Sequence, residues 1–288
     1  MSALNILRMS CYGLCICLAG VAAGAEDSDW LESYMAPLEA EHTAPDQQRG
    51  LEIYKRQYLM DKGWHSLEVG LDMLLVDAAG RESRRNVVER KVEDGQQPNK
   101  TLGIFLQPAD VRGTVMLTHE KTHDSDEQWL FLPAFKRTKK INAANKSGSF
   151  LGTEFSWEDI STSELTKYRY RYLRDDANTW VVERVPVYKF SGYSREITSV
   201  NKDNFQTVKI DYYDRKSELL KTLSLGNWEK YLDRYWRPLR MEMVNHVNHK
   251  KTVITLSRYK MDVGLDKKMF SSLALDAIAL PETMASAR

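Results

Sequence analysis

The sequence predicts an α+β protein built on one large antiparallel sheet, and three observations carry that expectation. Apolar and polar side chains alternate over most of the chain beyond residue 64. Turns of a few residues, such as Asp214-Arg215-Lys216 and Asn248-His249-Lys250, separate successive alternating runs, whereas parallel strands need crossovers of a dozen residues or more. One stretch, near residue 50, has helical period instead. A sheet with one apolar face twists, and that face must be covered by closure, by a helix or by a bound apolar ligand.

The first 25 residues read as a secretory leader: Arg8 is their only charge, an apolar stretch runs through Ile16, Leu18 and Val21, and Ala23-Gly24-Ala25 precedes acidic Glu26-Asp27. Small residues at both positions read by the signal peptidase place the cut after Ala25. The expected destination is a Gram-negative-type periplasm. Cys11, Cys15 and Cys17, the three cysteines of the chain, all lie in this leader. Residues 26–288 are therefore expected to hold no disulfide, thiolate nucleophile or cysteine metal site. Leu14-Cys15-Ile16 before Cys17 is not a lipoprotein signal, and no later run reaches the roughly 20 apolar residues that cross a bilayer.

Of the 41 Lys and Arg, Arg8 leaves with the leader, so 40 basic residues balance 40 acidic ones in the mature chain. Such a balance provides no field for steering onto nucleic acid. With 42% hydrophobic residues, the mature chain suffices for a single domain with a real core, and a monomer is expected.

In order along the chain, a polar lead-in is followed by a helix over 46–62, capped by Asp46 and stopped by Gly63, with Leu51, Tyr54 and Tyr58 recurring on one face. From Trp64 the period becomes two. Val69, Leu71 and Met73 point one way while Glu68, Gly70 and Asp72 point the other, up to the turn Asp77-Ala78-Ala79-Gly80. Further strands are expected over 82–92, 101–107, 113–119, 127–132, 165–174, 178–185, 206–213, 217–225, 238–247 and 251–260. Leu106, Met116, Trp129, Phe131, Phe150, Phe155, Trp157, Met241 and Met243 are large apolar side chains of these runs and their connections, fit to line an apolar hollow together with Val69, Leu71 and Met73.

His119-Glu120-Lys121-Thr122-His123 matches the H-E-x-x-H pattern of zinc hydrolases. That chemistry needs a helix to put both imidazoles on one face. Here Val115-Met116-Leu117 and Trp129-Leu130-Phe131-Leu132 flank the pattern as paired strands, and Asp124-Ser125-Asp126 makes the turn. The pattern is thus read as a hairpin end, with no metal site, and His119→Ala or His123→Ala is expected to leave the fold nearly intact. No nucleophile elbow, phosphate loop or dinucleotide fingerprint is found, so neither catalytic residues nor a cofactor is expected. The basic run Lys136-Arg137-Thr138-Lys139-Lys140 reads as a solvated strand face.

One ordered set of segments carries more identity than composition explains: Pro108-Ala109-Asp110-Val111-Arg112-Gly113-Thr114, Gln128-Trp129-Leu130-Phe131-Leu132-Pro133-Ala134, Ser149-Phe150-Leu151-Gly152-Thr153-Glu154-Phe155-Ser156-Trp157-Glu158-Asp159, and Trp236-Arg237-Pro238 with Met241-Glu242-Met243. The chain resembles the outer-membrane lipoprotein-sorting protein family in its LolA-like branch, from about residue 50 to about 275. The resemblance implies a curved antiparallel sheet forming an unclosed β-barrel, covered by a few helices, with a hollow for acyl chains. It implies a lipid or lipoprotein cargo, an inner-membrane exporter of the resistance-nodulation-division type and an outer-membrane acceptor. Leu51, Tyr54 and Tyr58 would then belong to a lid. Asn248-His249-Lys250 stands where the family more often has a glycine-containing turn. A zinc-dependent hydrolase and a protein-interaction module are the alternative functions.

Overall fold

The computed structural model describes residues 25–94, 97–161 and 164–279; the leader up to Gly24 lies outside the described residues. Two helices, α1 (Ala25–Glu41) and α2 (Pro45–Met60), precede the sheet. The strands are β1 (Ser66–Val76), β2 (Glu82–Asp94), β3 (Gln97–Gln107), β4 (Val115–His119), β5 (Glu127–Leu132), β6 (Arg137–Lys140), β7 (Tyr168–Asp175), β8 (Thr179–Pro186), β9 (Tyr193–Asn201), β10 (Thr207–Asp214), β11 (Leu219–Tyr231), β12 (Tyr235–Asn245) and β13 (Lys251–Met261). A one-turn helix, α3 (Leu275–Ile278), follows.

All thirteen strands form one antiparallel sheet in the order β6-β5-β4-β3-β2-β1-β13-β12-β11-β10-β9-β8-β7. Two meanders meet where β1 pairs β13, with Met73 opposite Ile254. The sheet is an unclosed barrel, because its edges β6 and β7 do not pair with each other. Residues 141–167 connect them across the concave side, and buried polar contacts fasten the crossing. Gln128 Nε2 donates to the Trp157 carbonyl (2.9 Å) and Lys167 Nζ meets Asp126 Oδ1 (2.5 Å). Lys146 Nζ donates to the Asp126 carbonyl. On edge β7, the buried His42 accepts at Nε2 from Tyr170 N (2.9 Å) while its Nδ1–H donates to the Leu38 carbonyl (2.6 Å). An otherwise unpaired strand donor is thereby satisfied. The basic run becomes edge strand β6, whose charged side chains discourage pairing with another sheet.

Among the described residues three large apolar clusters cover the sheet, and a small fourth joins Trp64, Leu67 and Tyr235. On the concave side, Val69, Met73, Phe105 and Met116 pack with Phe150, Phe155 and Trp157 of the crossing segment. Over β7–β9, Met35 and Leu38 of α1 and Leu51, Ile53 and Tyr54 of α2 pack on Tyr168, Tyr170, Val182 and Val200. Gly50 permits the approach, since a Cβ there would sit 2.8 Å from the Tyr172 backbone nitrogen. On the convex side, Leu102, Ile104, Val115, Leu117 and Phe131 lie under Phe270, Leu275 and Ile278 of the C-terminal segment.

Several elements differ from expectation. The polar lead-in is helix α1, β6, β9 and the short α3 lie outside the expected ranges, and the β11–β12 hairpin extends to Tyr231 and Tyr235. Helix α2 begins at Pro45 after the cap residue Ala44, so Asp46 lies in its first turn and is not the cap. At the turn lacking glycine, His249 itself takes the left-handed conformation, with φ 59°, a rare region for non-glycine residues in which histidine is enriched.

Candidate functional site

A cavity of about 380 Å3 lies between α2 and the concave face, within the roughly 300–1,000 Å3 range of small-molecule sites. Its strand walls follow from the period of two: Val69, Leu71 and Met73 on β1, Val87 on β2, Gly103 and Phe105 on β3, Met116 on β4. Met241, Ile254 and Leu256 close the β12–β13 side, and Phe150 and Phe155 reach in from the crossing segment. Gly103 leaves room because it contributes no side chain.

Seven of the expected lining residues, Val69, Leu71, Met73, Met116, Phe150, Phe155 and Met241, are thus on the wall. Trp157 and Met243 belong to the same inner core behind it. Leu106, Trp129 and Phe131 are on the other face, beneath the C-terminal segment, and this corrects their expected placement. The period of two made the alternation visible but not its phase, because both faces of β4 and β5 are apolar. Leu130, between Trp129 and Phe131, is the residue that points inward.

The lid expectation is also amended. Leu51 and Tyr54 are buried against β7–β9, with Tyr54 Oη donating to Thr198 Oγ1 (2.7 Å), so α2 meets the apolar cavity through Gln57 and Asp61. Tyr54 and Tyr58 both border a second chamber of about 240 Å3, which shares Gln57, Asp61, Trp64, Asn99, Gln206 and Thr207 with the first.

One end of the main cavity is polar, which single-strand patterns did not reveal. Glu89 and Lys91 follow Val87 on the inward face of β2, with Lys91 Nζ 3.1 Å from Glu89 Oε1. Burial works against the Lys91 ammonium, but the Glu89 and Glu120 carboxylates outweigh it and hold the amine above its ordinary value. Arg237 Nη1 lies 2.5 Å from Asp61 Oδ1, tying the end of α2 to β12. Trp64, Trp228, Trp236 and Tyr259 complete this mouth.

The His119 pattern folds as a hairpin end. His119 closes β4, its Nε2 lies 2.7 Å from the Phe270 carbonyl, and its ring meets the edge of Trp129 at 4.9 Å. Burial pushes the imidazole below its ordinary value. His119 is therefore a partly buried structural contact, so His119→Ala is no longer expected to be neutral, whereas His123 is exposed. Among the described residues no three His, Cys, Asp or Glu side chains are grouped to hold a metal, and no helix is long and apolar enough to cross a membrane.

A family model described as an uncharacterized protein matches residues 97–277. Among solved structures, an outer-membrane lipoprotein-sorting protein domain from Vibrio parahaemolyticus is similar at 38% identity and TM-score 0.78, over 80% of this chain and 99% of that one. A DUF1329 family protein from Desulfovibrio piger is similar at 27% identity and TM-score 0.75, over 81% and 100%. A LolA superfamily protein from Nitrosomonas europaea, at 20% identity and TM-score 0.62 over 79% and 98%, shares the fold. No curated protein matches.

Proposed function

The chain belongs to the outer-membrane lipoprotein-sorting protein family, in its LolA-like branch, and from that premise we propose that it is a periplasmic carrier that holds lipid or lipoprotein acyl chains in the half-barrel hollow. One observation carries the reading: the concave face of β1–β3 and β11–β13 is apolar yet unfilled, while the concave face of β7–β9 is filled by α1 and α2. An apolar cavity with a polar mouth fits an amphiphile that inserts its chain first.

The work done is binding, and no covalent step belongs to it. Each methylene withdrawn from water contributes about 0.8 kcal/mol, so a C16 chain would gain on the order of 12 kcal/mol gross before ordering costs. A carrier must also unload, which requires empty and loaded states of similar free energy. The Asp61–Arg237 pair spans the mouth between the end of α2 and β12, with the Asp61 side chain 45% and the Arg237 side chain 11% exposed. An inner-membrane exporter of the resistance-nodulation-division type and an outer-membrane acceptor are the proposed partners of a monomer cut after Ala25.

Mass spectrometry of organic extracts from gently purified mature protein tests the function. A stoichiometric lipid is expected. Lipid-free protein that also fails to take up a fluorescent fatty acid would exclude the carrier.

A further inference from the structure

The sheet ends in two edges of opposite character. At β7, His42 accepts from Tyr170 N, and α1 and α2 pack on the strand. At β6 the outer backbone is open. Ile141 N donates to the Gln128 carbonyl, and Lys139 stands opposite Leu130 and Arg137 opposite Leu132 in the β5–β6 register. Hydrogen-bonded and non-hydrogen-bonded pairs alternate along an antiparallel ladder, so Arg137 and Lys139 bond inward to β5 while Thr138 and Lys140 turn their N–H and C=O groups away from the sheet. Among the described residues no backbone hydrogen bond reaches those outward groups.

The charged side chains of this open edge are of one sign. Arg137 and Lys139 lie opposite Leu132 and Leu130, which belong to the concave side, and Lys140 lies opposite Trp129 on the convex side. Both faces of the edge are therefore basic. Lys140 pairs with Glu127, whereas Lys136, Arg137 and Lys139 have no carboxylate partner among the described residues, and all three are exposed. Phe135, 74% exposed in the adjoining turn, adds an apolar contact.

Like charges directly opposite each other destabilise a strand pair, so the β6 edge of a second copy is a poor occupant and an acidic strand is a good one. A bilayer surface could use the cations, but it has no strand backbone to meet the outward N–H and C=O groups. We propose that the outer edge of β6 docks an extended, acidic segment of a partner protein as an additional strand. Thr138 and Lys140 supply the main-chain hydrogen bonds, which give affinity, and the cations on both faces select carboxylates, which gives specificity. None of Phe135, Lys136, Arg137, Thr138, Lys139 and Lys140 lines the hollow, so the proposal stands or falls independently of the cargo.

Fluorescence anisotropy of the mature protein with a labelled peptide of alternating valine and glutamate tests it, beside a valine–lysine peptide and vesicles of phosphatidylglycerol. The glutamate peptide is expected to bind, more weakly as salt rises, and the lysine peptide is not. Thr138→Pro removes an outward N–H while keeping the inner ladder, a position where an edge strand tolerates proline, and should weaken the glutamate peptide by about tenfold. Arg137→Glu with Lys139→Glu should weaken it at least as much, and serves if Thr138→Pro fails to fold. Hydrogen exchange supplies the geometric readout: the amides of Thr138 and Lys140 should slow when the peptide binds, whereas those of Arg137 and Lys139 are already protected. Absence of peptide binding, binding without slowing of those two amides, or an affinity untouched by Thr138→Pro overturns strand addition. Capture of the vesicles in place of the peptide overturns it in favour of a membrane surface.

Discussion

Strands β3 to β5 are apolar on both faces, and the two faces do opposite things. On the convex side Leu102, Val115 and Leu117 are fully buried, closed over by Phe270 and Leu275. On the concave side Gly103, Phe105 and Met116 border a cavity. The same strands thus supply a filled core and an unfilled hollow a few ångströms apart. Apolar character marks which residues leave water, but the partner opposite decides whether they are packed.

The largest expected effect tests that contrast directly. Leu117→Glu places an unpaired carboxylate in a filled interior and should cost several kilocalories per mole, a large share of a domain stability of about 5–15 kcal/mol. Phe131→Glu should behave in the same way, because Phe131 is on the convex side. Leu71→Glu lines the cavity and is half-buried, so its carboxylate can reach water; the protein should stay folded, lose less than about 2 kcal/mol in urea melts and no longer copurify with lipid. Equal unfolding of Leu71→Glu and Leu117→Glu would erase the distinction.

Next in size is the fastening of the crossing segment. Lys221 Nζ on β11 lies 2.5 Å from Asp159 Oδ2, with the side chains 5% and 1% exposed, and also donates to the Glu154 carbonyl. Asp159→Asn leaves the ammonium buried without its counter-charge and should cost about 3–5 kcal/mol. A loss below 1 kcal/mol in denaturant unfolding would show that the segment is held by its apolar residues alone.

His119 fastens the convex cover, and His119→Ala should cost about 1–2 kcal/mol by removing the bond to Phe270 and the contact with Trp129. The pH dependence has a defined sign. Burial lowers the folded-state imidazole below its ordinary value, so the native state binds fewer protons than the unfolded chain. The His119 contribution is intact above the unfolded value of about 6.5 and is lost as pH falls below it. The stability gap between wild type and His119→Ala should therefore shrink between about pH 7 and pH 5; a widening gap would contradict the assignment.

The smallest stability effect is expected inside the hollow. A Cβ at Gly103 meets the mobile end of Met116 at 3.4 Å, so Gly103→Val should change stability by less than about 0.5 kcal/mol. It should still reduce lipid recovery by occupying cavity space. Undiminished recovery would place the cargo elsewhere.

The elements missed in the sequence share a cause. The stretch forming β9 reads as polar because its inward side chains include Glu196, paired with Arg184, and Thr198, bonded to Tyr54. Polar residues there are buried by partners more than ten positions away. Helix α1 combines acidic residues with an internal Pro37, and Met35 and Leu38 find their use only against α2 and β7. The polar mouth and the second chamber likewise join side chains from α2, β2, β8, β10 and the crossing segment, a combination that no spacing along the chain encodes.

What the sequence by itself determined is the alternation: one antiparallel sheet, an apolar face in need of cover, the helix near residue 50 and the family blocks. These are local, since each follows from neighbouring side chains and backbone geometry. Only the tertiary structure decided the phase of that alternation on β3–β5, because two separate covers, the C-terminal segment outside and the crossing segment inside, both bury apolar residues. It alone decided where the cover stops short, since a hollow is defined by side chains that fail to meet across the barrel.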